Sequence, residues 1–302
     1  MVRLPPAEKL PLAVRKNIRD NWENKKADHE KAISEVLGES WTVDINLNAI
    51  WPYGENWAKD CTGEMISRYI EAARDRLVEF IRQCGEEGKD EINAVCSKHV
   101  IGMDVDEDKK VIYNGCKVAD GKLIILFAPG MLGTNIDDPL QADKLSEAIN
   151  SAGTSAALTF EERQGISNVS DELDEVKERI NKILAREIAI DPGFEAISAK
   201  LAGSKQVMET WRGQMGRFVM SYYAALASWL KDQNFGDDDM LQEGMNEALS
   251  SGTIKFRIVD ALRPENRYNQ CTFEDGTLFL ETTPEAFGVN IDQVGNNIID
   301  LL

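Results

Sequence analysis

Two stretches of the chain carry the same apolar spacing. Ile66, Tyr69, Ile70, Ala73, Leu77, Phe80 and Ile81 recur every three or four residues, with Arg68, Glu71, Arg74, Asp75 and Glu79 between them. Val219, Tyr222, Tyr223, Leu226, Trp229 and Leu230 do the same further on. Each pattern predicts a helix with one apolar stripe turned to a core. Ahead of each comes a longer polar helical stretch, near Ala13 to Val36 and near Ser170 to Arg186, and then a short strand, SWTVDIN or EIAID. A shorter helix is expected to end near Val95 and near Leu249.

After each helical region the chain reads as β structure. HVIGMDV is a strand, Asp106 to Lys109 a turn, and KKVIYNGCKV and KLIILFA flank Asp120-Gly121. Asp275-Gly276 stands at the matching place in the second stretch. Asp-Gly accepts the two positive φ angles of a type I′ hairpin, so both are read as two-residue turns. Leu123 to Ala128 is apolar throughout, which suits a strand covered on both faces. Helices segregated from an antiparallel sheet make the expected class α+β.

The likeness between the two stretches is a repeat in sequence. YNGCKVADGKLIILFAPGMLGTNID, from Tyr113, aligns without a gap on YNQCTFEDGTLFLETTPEAFGVNID, from Tyr268, with 11 of 25 positions identical. Unrelated segments would share about one or two, so the pairing is read as internal self-similarity. LGESWTVDINLNAI over LAREIAIDPGFEAI, and INAVCSKHVIGMDV over MNEALSSGTIKFRI, extend it upstream in the same order. The expectation is therefore two tandem homologous domains, 1–152 and 153–302, each with amphipathic helices packed on a small antiparallel sheet. Their boundary is placed in SAGTSAALT, Ser151 to Thr159, a small and uncharged stretch.

Charge narrows the function. With 34 Lys and Arg against 52 Asp and Glu the net charge is −18, and both halves are acidic: 20 basic against 27 acidic residues, then 14 against 25. Such a field repels phosphate backbones and anionic lipid surfaces, so no nucleic-acid partner is expected. No apolar run is long enough to span a bilayer, and the N-terminus lacks the apolar core of a signal peptide. Five cysteines, Cys61, Cys84, Cys96, Cys116 and Cys271, form an odd count with no CxxC pair. That usage points to a reduced, cytoplasmic protein.

Candidate chemistry is sparse. His99 lies three residues after Cys96, yet no third group orients such a pair, and a buried Cys beside a rim His is the preferred reading. His29, the only other histidine, is read as a solvated residue of a charged helix. Asp104, Asp106, Glu107 and Asp108 resemble the start of a calcium loop, but Lys109 and Gly115 stand where that loop needs Gly and Glu. FAPGMLGTN lacks the GK[ST] ending of a phosphate loop and is read as a turn, with Asn135/Asp137 and Asn290/Asp292 as helix N-caps. No catalytic residue, metal site or cofactor is assigned.

One segment is nominated for binding. WPYGENW sets Trp51, Tyr53 and Trp57 around a Pro-Tyr-Gly break, and loop aromatics of this kind anchor partners when exposed or cap a core when not. Only Trp57 has a counterpart in the second half, Trp211. The favoured function is a non-catalytic, intracellular binding or structural protein built as a pseudo-twofold duplication, with a protein partner. A carrier of a small apolar ligand in a helix–sheet cavity comes second, and an enzyme confined to the first repeat or the inter-repeat cleft third. Cys116 and Cys271, at matched positions, are expected to be buried, reduced and inert.

Overall fold

A computed structural model describes residues 3–153 and 157–302. The chain divides into two compact units, 1–155 and 156–302. Three residues of the expected linker, 154–156, lie outside the described residues.

In the first unit α1 (Leu12–Ile18) runs through a π-helical turn, Arg19–Glu23, toward α2 (Lys26–Leu37). The single polar helix expected here is thus two. Gly38, at φ 75°, ends α2 in the left-handed conformation that glycine adopts without steric cost. β1 (Thr42–Val43) comes next, then α3 (Leu47–Ile50), a 3-10 turn at Trp51–Tyr53 and α4 (Asn56–Asp60). The long α5 (Thr62–Val95) carries the apolar stripe, and Ile66, Tyr69, Ile70, Leu77 and Phe80 are fully buried. Gly85 breaks it at φ 65°, which explains the separate shorter helix read from the sequence.

The strands are β2 (Val100–Val105), β3 (Asn114–Ala119) and β4 (Lys122–Phe127), and α6 (Ala142–Ala152) closes the unit. Asp120 and Gly121 sit at φ 51° and 70°, as the hairpin reading requires.

The expected antiparallel sheet is corrected. β1 pairs parallel with β2, β2 parallel with β4, and only β3 runs antiparallel, to β4. In the order β1-β2-β4-β3 the chain leaves β2, passes over to the edge and returns through the hairpin to the centre. Central β4 is the strand that is apolar at nearly every position, since its pairing on both sides removes it from water. The strand expected from Lys109 begins only at Asn114. Lys109 takes φ 56°, and the Val111 N–H is held by the buried Asp106 carboxylate at 2.8 Å rather than by a ladder.

The second unit runs α7 (Phe160–Ser167), α8 (Ser170–Leu184), β5 (Ala189–Asp191), α9 (Phe194–Ala202), α10 (Trp211–Asp232) and α11 (Asp239–Ala248). β6 (Thr253–Ile258), β7 (Asn269–Glu274) and β8 (Thr277–Thr282) complete it, and its sheet is also mixed, with the order β5-β6-β8-β7. β5 and β6 are parallel, β6 and β8 parallel, β7 and β8 antiparallel. Val219, Tyr222, Tyr223, Leu226 and Leu230 of α10 are fully buried in a core with Ile254, Leu278 and Leu280. Asp275 and Gly276, at φ 48° and 73°, form the hairpin turn.

Candidate binding groove

The nominated aromatics separate. Tyr53 is buried, its ring edge-on to Phe127 at 5.6 Å and its hydroxyl accepting the Leu4 N–H at 2.8 Å. Trp51 is half-buried: its indole N–H donates to the Lys59 carbonyl at 3.1 Å, and Lys59 Nζ lies 4.8 Å from the ring centre. Trp57 alone is exposed, at 40%, with the Arg68 guanidinium 5.7 Å from its ring. The three do not present one face. The turn Trp51–Tyr53 directs Tyr53 inward, a placement that side-chain type alone does not reveal.

Cys96 and His99 form no dyad. Cys96 is buried, and burial pushes its thiol up to about 12, against formation of a thiolate. His99 adopts φ 51° and stacks on Trp41 at 5.5 Å.

His29 is not simply solvated, as the sequence suggested. It is half-buried, stacked on Trp22 at 5.8 Å, with Nε2 2.7 Å from Ser67 Oγ. Burial lowers its pKa. Ser67 is itself 3% exposed in the interior of α5, and its contact with His29 ties α2 to α5.

The acidic cluster is engaged within the protein: Arg3 pairs with Asp104 and Glu107, and Asp106 holds the turn. Among the described residues no three of His, Cys, Asp and Glu converge as metal ligands.

The N-cap reading of Asn135 and Asn290 is corrected. Both are left-handed, at φ 49° and 47°, and neither caps a helix by its side chain: residues 135–138 form turns, and Asn290 precedes a 3-10 turn with no side-chain cap. Their carbonyls instead accept from Asn114 Nδ2 at 2.9 Å and Asn269 Nδ2 at 2.7 Å. Asn114 Oδ1 in turn accepts the Tyr69 hydroxyl at 3.1 Å, and that hydroxyl accepts the Gly133 N–H at 3.1 Å. Asn269, Tyr222 and Gly288 repeat this with distances of 2.9 and 3.2 Å. Burial pushes both tyrosines up to about 12. The residues common to the aligned segments thus knot a loop to a sheet edge.

The first unit holds a cavity of about 470 Å³ between α6 and β3, a helix–sheet space whose lining residues were not among those nominated from the sequence. Its floor is β3, one wall is α6 with Lys144, Glu147 and Ala148, and the loop before β3 forms its mouth. At that mouth Ile112 is 81% exposed and Tyr113 40%. Gly115 lets the Val111 side chain pack against the strand, since a Cβ there would stand 2.5 Å from Val111 Cγ1. Lys144 pairs with Asp138 at 2.6 Å and donates to the Asn114 carbonyl at 3.2 Å. Cys116 is half-buried rather than buried. Its thiol turns inward, 3.5 Å from the Lys144 carbonyl, and burial pushes it up to about 12.

At the aligned positions the second unit is filled. Gln270 stands where Gly115 does, buried and bonded to Glu281 and to the Arg263 N–H, and Asn297 donates to the Cys271 carbonyl and accepts its N–H, both at 2.8 Å. Cys271 is buried. The signal in the sequence was the departure from the repeat, Gly115 against Gln270.

Among the described residues no helix is long and apolar enough to cross a membrane. Comparison of the chain with protein-family models, with curated proteins and with solved structures finds no match.

Proposed function

We propose that this is a non-catalytic binding protein, formed by tandem duplication of one α+β unit, in which the first unit keeps the binding groove and the second has closed it. The observation that carries the reading is the cavity of about 470 Å³ beside β3 with Ile112 at its mouth, 81% exposed. Ile112 and Tyr113 stand together beside this cavity, and two adjacent exposed apolar side chains next to a groove give a partner something to bury. Duplication is supported by the 11 identities in 25 positions, by the common strand order and directions, and by the repeated Tyr–Asn–Gly hydrogen bonds. A further shared contact is the side chain of Asn93, bonded to the Leu37 carbonyl at 2.9 Å, and of Asn246, bonded to the Leu184 carbonyl at 3.0 Å.

The lining favours a protein partner over an apolar small molecule. Lysines and carboxylates line it together with the apolar groups. A carrier pocket is mostly apolar with a few placed polar groups. Selection of displayed random peptides against the full chain tests the reading. Selected peptides should bind the double variant Ile112→Ser, Tyr113→Ser at least about tenfold more weakly, as for interface anchors, with no change in melting temperature. Equal affinity for the two proteins overturns the reading.

A further inference from the structure

We propose that the open edge of β3 accepts an extended, lysine-bearing peptide, which adds to the first unit's sheet as a further strand. This rests on the binding reading above and names its mode and partner chemistry. The ladder decides which groups face outward. The Tyr113 carbonyl accepts the Ala128 N–H at 2.8 Å, so residues 113, 115, 117 and 119 pair with β4, and 114, 116 and 118 direct their backbone groups away from the sheet. Lys144 takes the Asn114 carbonyl. Among the described residues no hydrogen bond is made to the N–H or C=O of Cys116, and Cys116 lines the cavity.

The second unit shows what such an edge takes. Cys271 lies at the aligned position, and the Asn297 carboxamide meets both its N–H and its C=O at 2.8 Å. A carboxamide bonded in this way occupies the two backbone groups that a neighbouring strand would meet with a C=O and an N–H of its own. An exposed strand edge is a template for strand addition, with main-chain bonds giving affinity and flanking pockets giving preference.

Charge selects the peptide. Around the groove Lys110 pairs with Asp108 and Lys144 with Asp138, leaving Asp106 and the exposed Glu147 against Lys117. The chain as a whole carries −18. Both the local remainder and the long-range field favour a cationic strand.

The probe is an octapeptide of alternating Val and Lys, blocked at both ends, titrated into the full chain labelled with 15N. Its counterpart alternates Val and Glu. The expected result is saturable shifts at Ile112, Tyr113, Cys116 and Val118, at least tenfold slower hydrogen exchange at the Cys116 and Val118 amides, and at least tenfold weaker binding of the Glu peptide. Glu147→Lys, an exposed change that leaves the edge intact, should narrow that preference. Shifts at Ile112 and Tyr113 without slowed exchange at 116 and 118 overturn strand addition and leave the groove as a binding site. Equal binding of the two peptides overturns the charge assignment. No shift anywhere in the groove overturns this inference, while the binding reading stands or falls on the selected peptides.

Discussion

Removing one hydroxyl, by Tyr69→Phe, tests whether the repeated knot of hydrogen bonds holds the first unit together. The change keeps the ring and its packing in a fully buried site. It strips the donor from Asn114 Oδ1 and the acceptor from the Gly133 N–H, each at 3.1 Å. A buried group left without its partner costs about 1–3 kcal/mol. Two such groups set an expectation of about 2–6 kcal/mol, the lower end applying if the loop relaxes toward water. The assay is hydrogen exchange under increasing urea, read on peptides from both units, because two compact units need not unfold in one transition. Peptides covering α5 and β3 should lose protection at lower urea, with those of α10 and β7 as the internal reference. Tyr222→Phe should reverse the pattern, since Asn269 and Gly288 depend on it in the same way. The double variant Tyr69→Phe, Asn114→Ala should be less destabilised than the sum of its parts by about 0.5–3 kcal/mol, because both changes remove the same bond. A loss below about 0.5 kcal/mol for Tyr69→Phe, within the range of ordinary surface changes, refutes the reasoning.

Burial and hydrogen bonding set three further expectations. Tyr53→Ala should cost about 3–5 kcal/mol of stability as a buried aromatic, whereas Trp57→Ala, exposed at 40%, should leave the melting temperature nearly unchanged; similar losses for both would refute this placement. Thiol labelling of the native chain should be slow at Cys271, which is buried with its Sγ 3.1 Å from the Val294 carbonyl, and labelling as fast as in urea would contradict it. Because burial lowers the His29 pKa, the folded state holds fewer protons there than the unfolded state. Its contribution to stability should therefore be present above the ordinary value of 6.5 and decline as the pH falls below it. Comparison of wild type with His29→Gln between about pH 7.5 and 5.5 isolates this, and identical pH slopes would refute it.

Much of the local architecture was legible in the residues themselves. The stripe from Ile66 to Phe80 specified a helix and the face it buries, because a 3.6-residue period needs no knowledge of the partner. Asp120-Gly121 and Asp275-Gly276 specified their hairpins, because the positive φ angles are a property of the turn alone. The self-similarity marked Asn114, Gly133 and Asn135 as a set before any contact was known.

Only the tertiary structure decided the rest. That β4 enters between β2 and β3, making the sheets mixed, depends on which strands meet, and a strand's own pattern reports burial rather than neighbours. The inward turn of Tyr53 and the outward one of Ile112 are set by where the backbone passes the core, as is the half-burial of His29. The open edge of β3 is of the same kind. Gly115 and Gln270 are aligned residues in like strands, and what separates a groove from a filled edge is whether groups distant in the chain, Asn297 and Glu281, arrive to close it. Such closure couples residues far apart in sequence, where periodicity and turn chemistry carry no information.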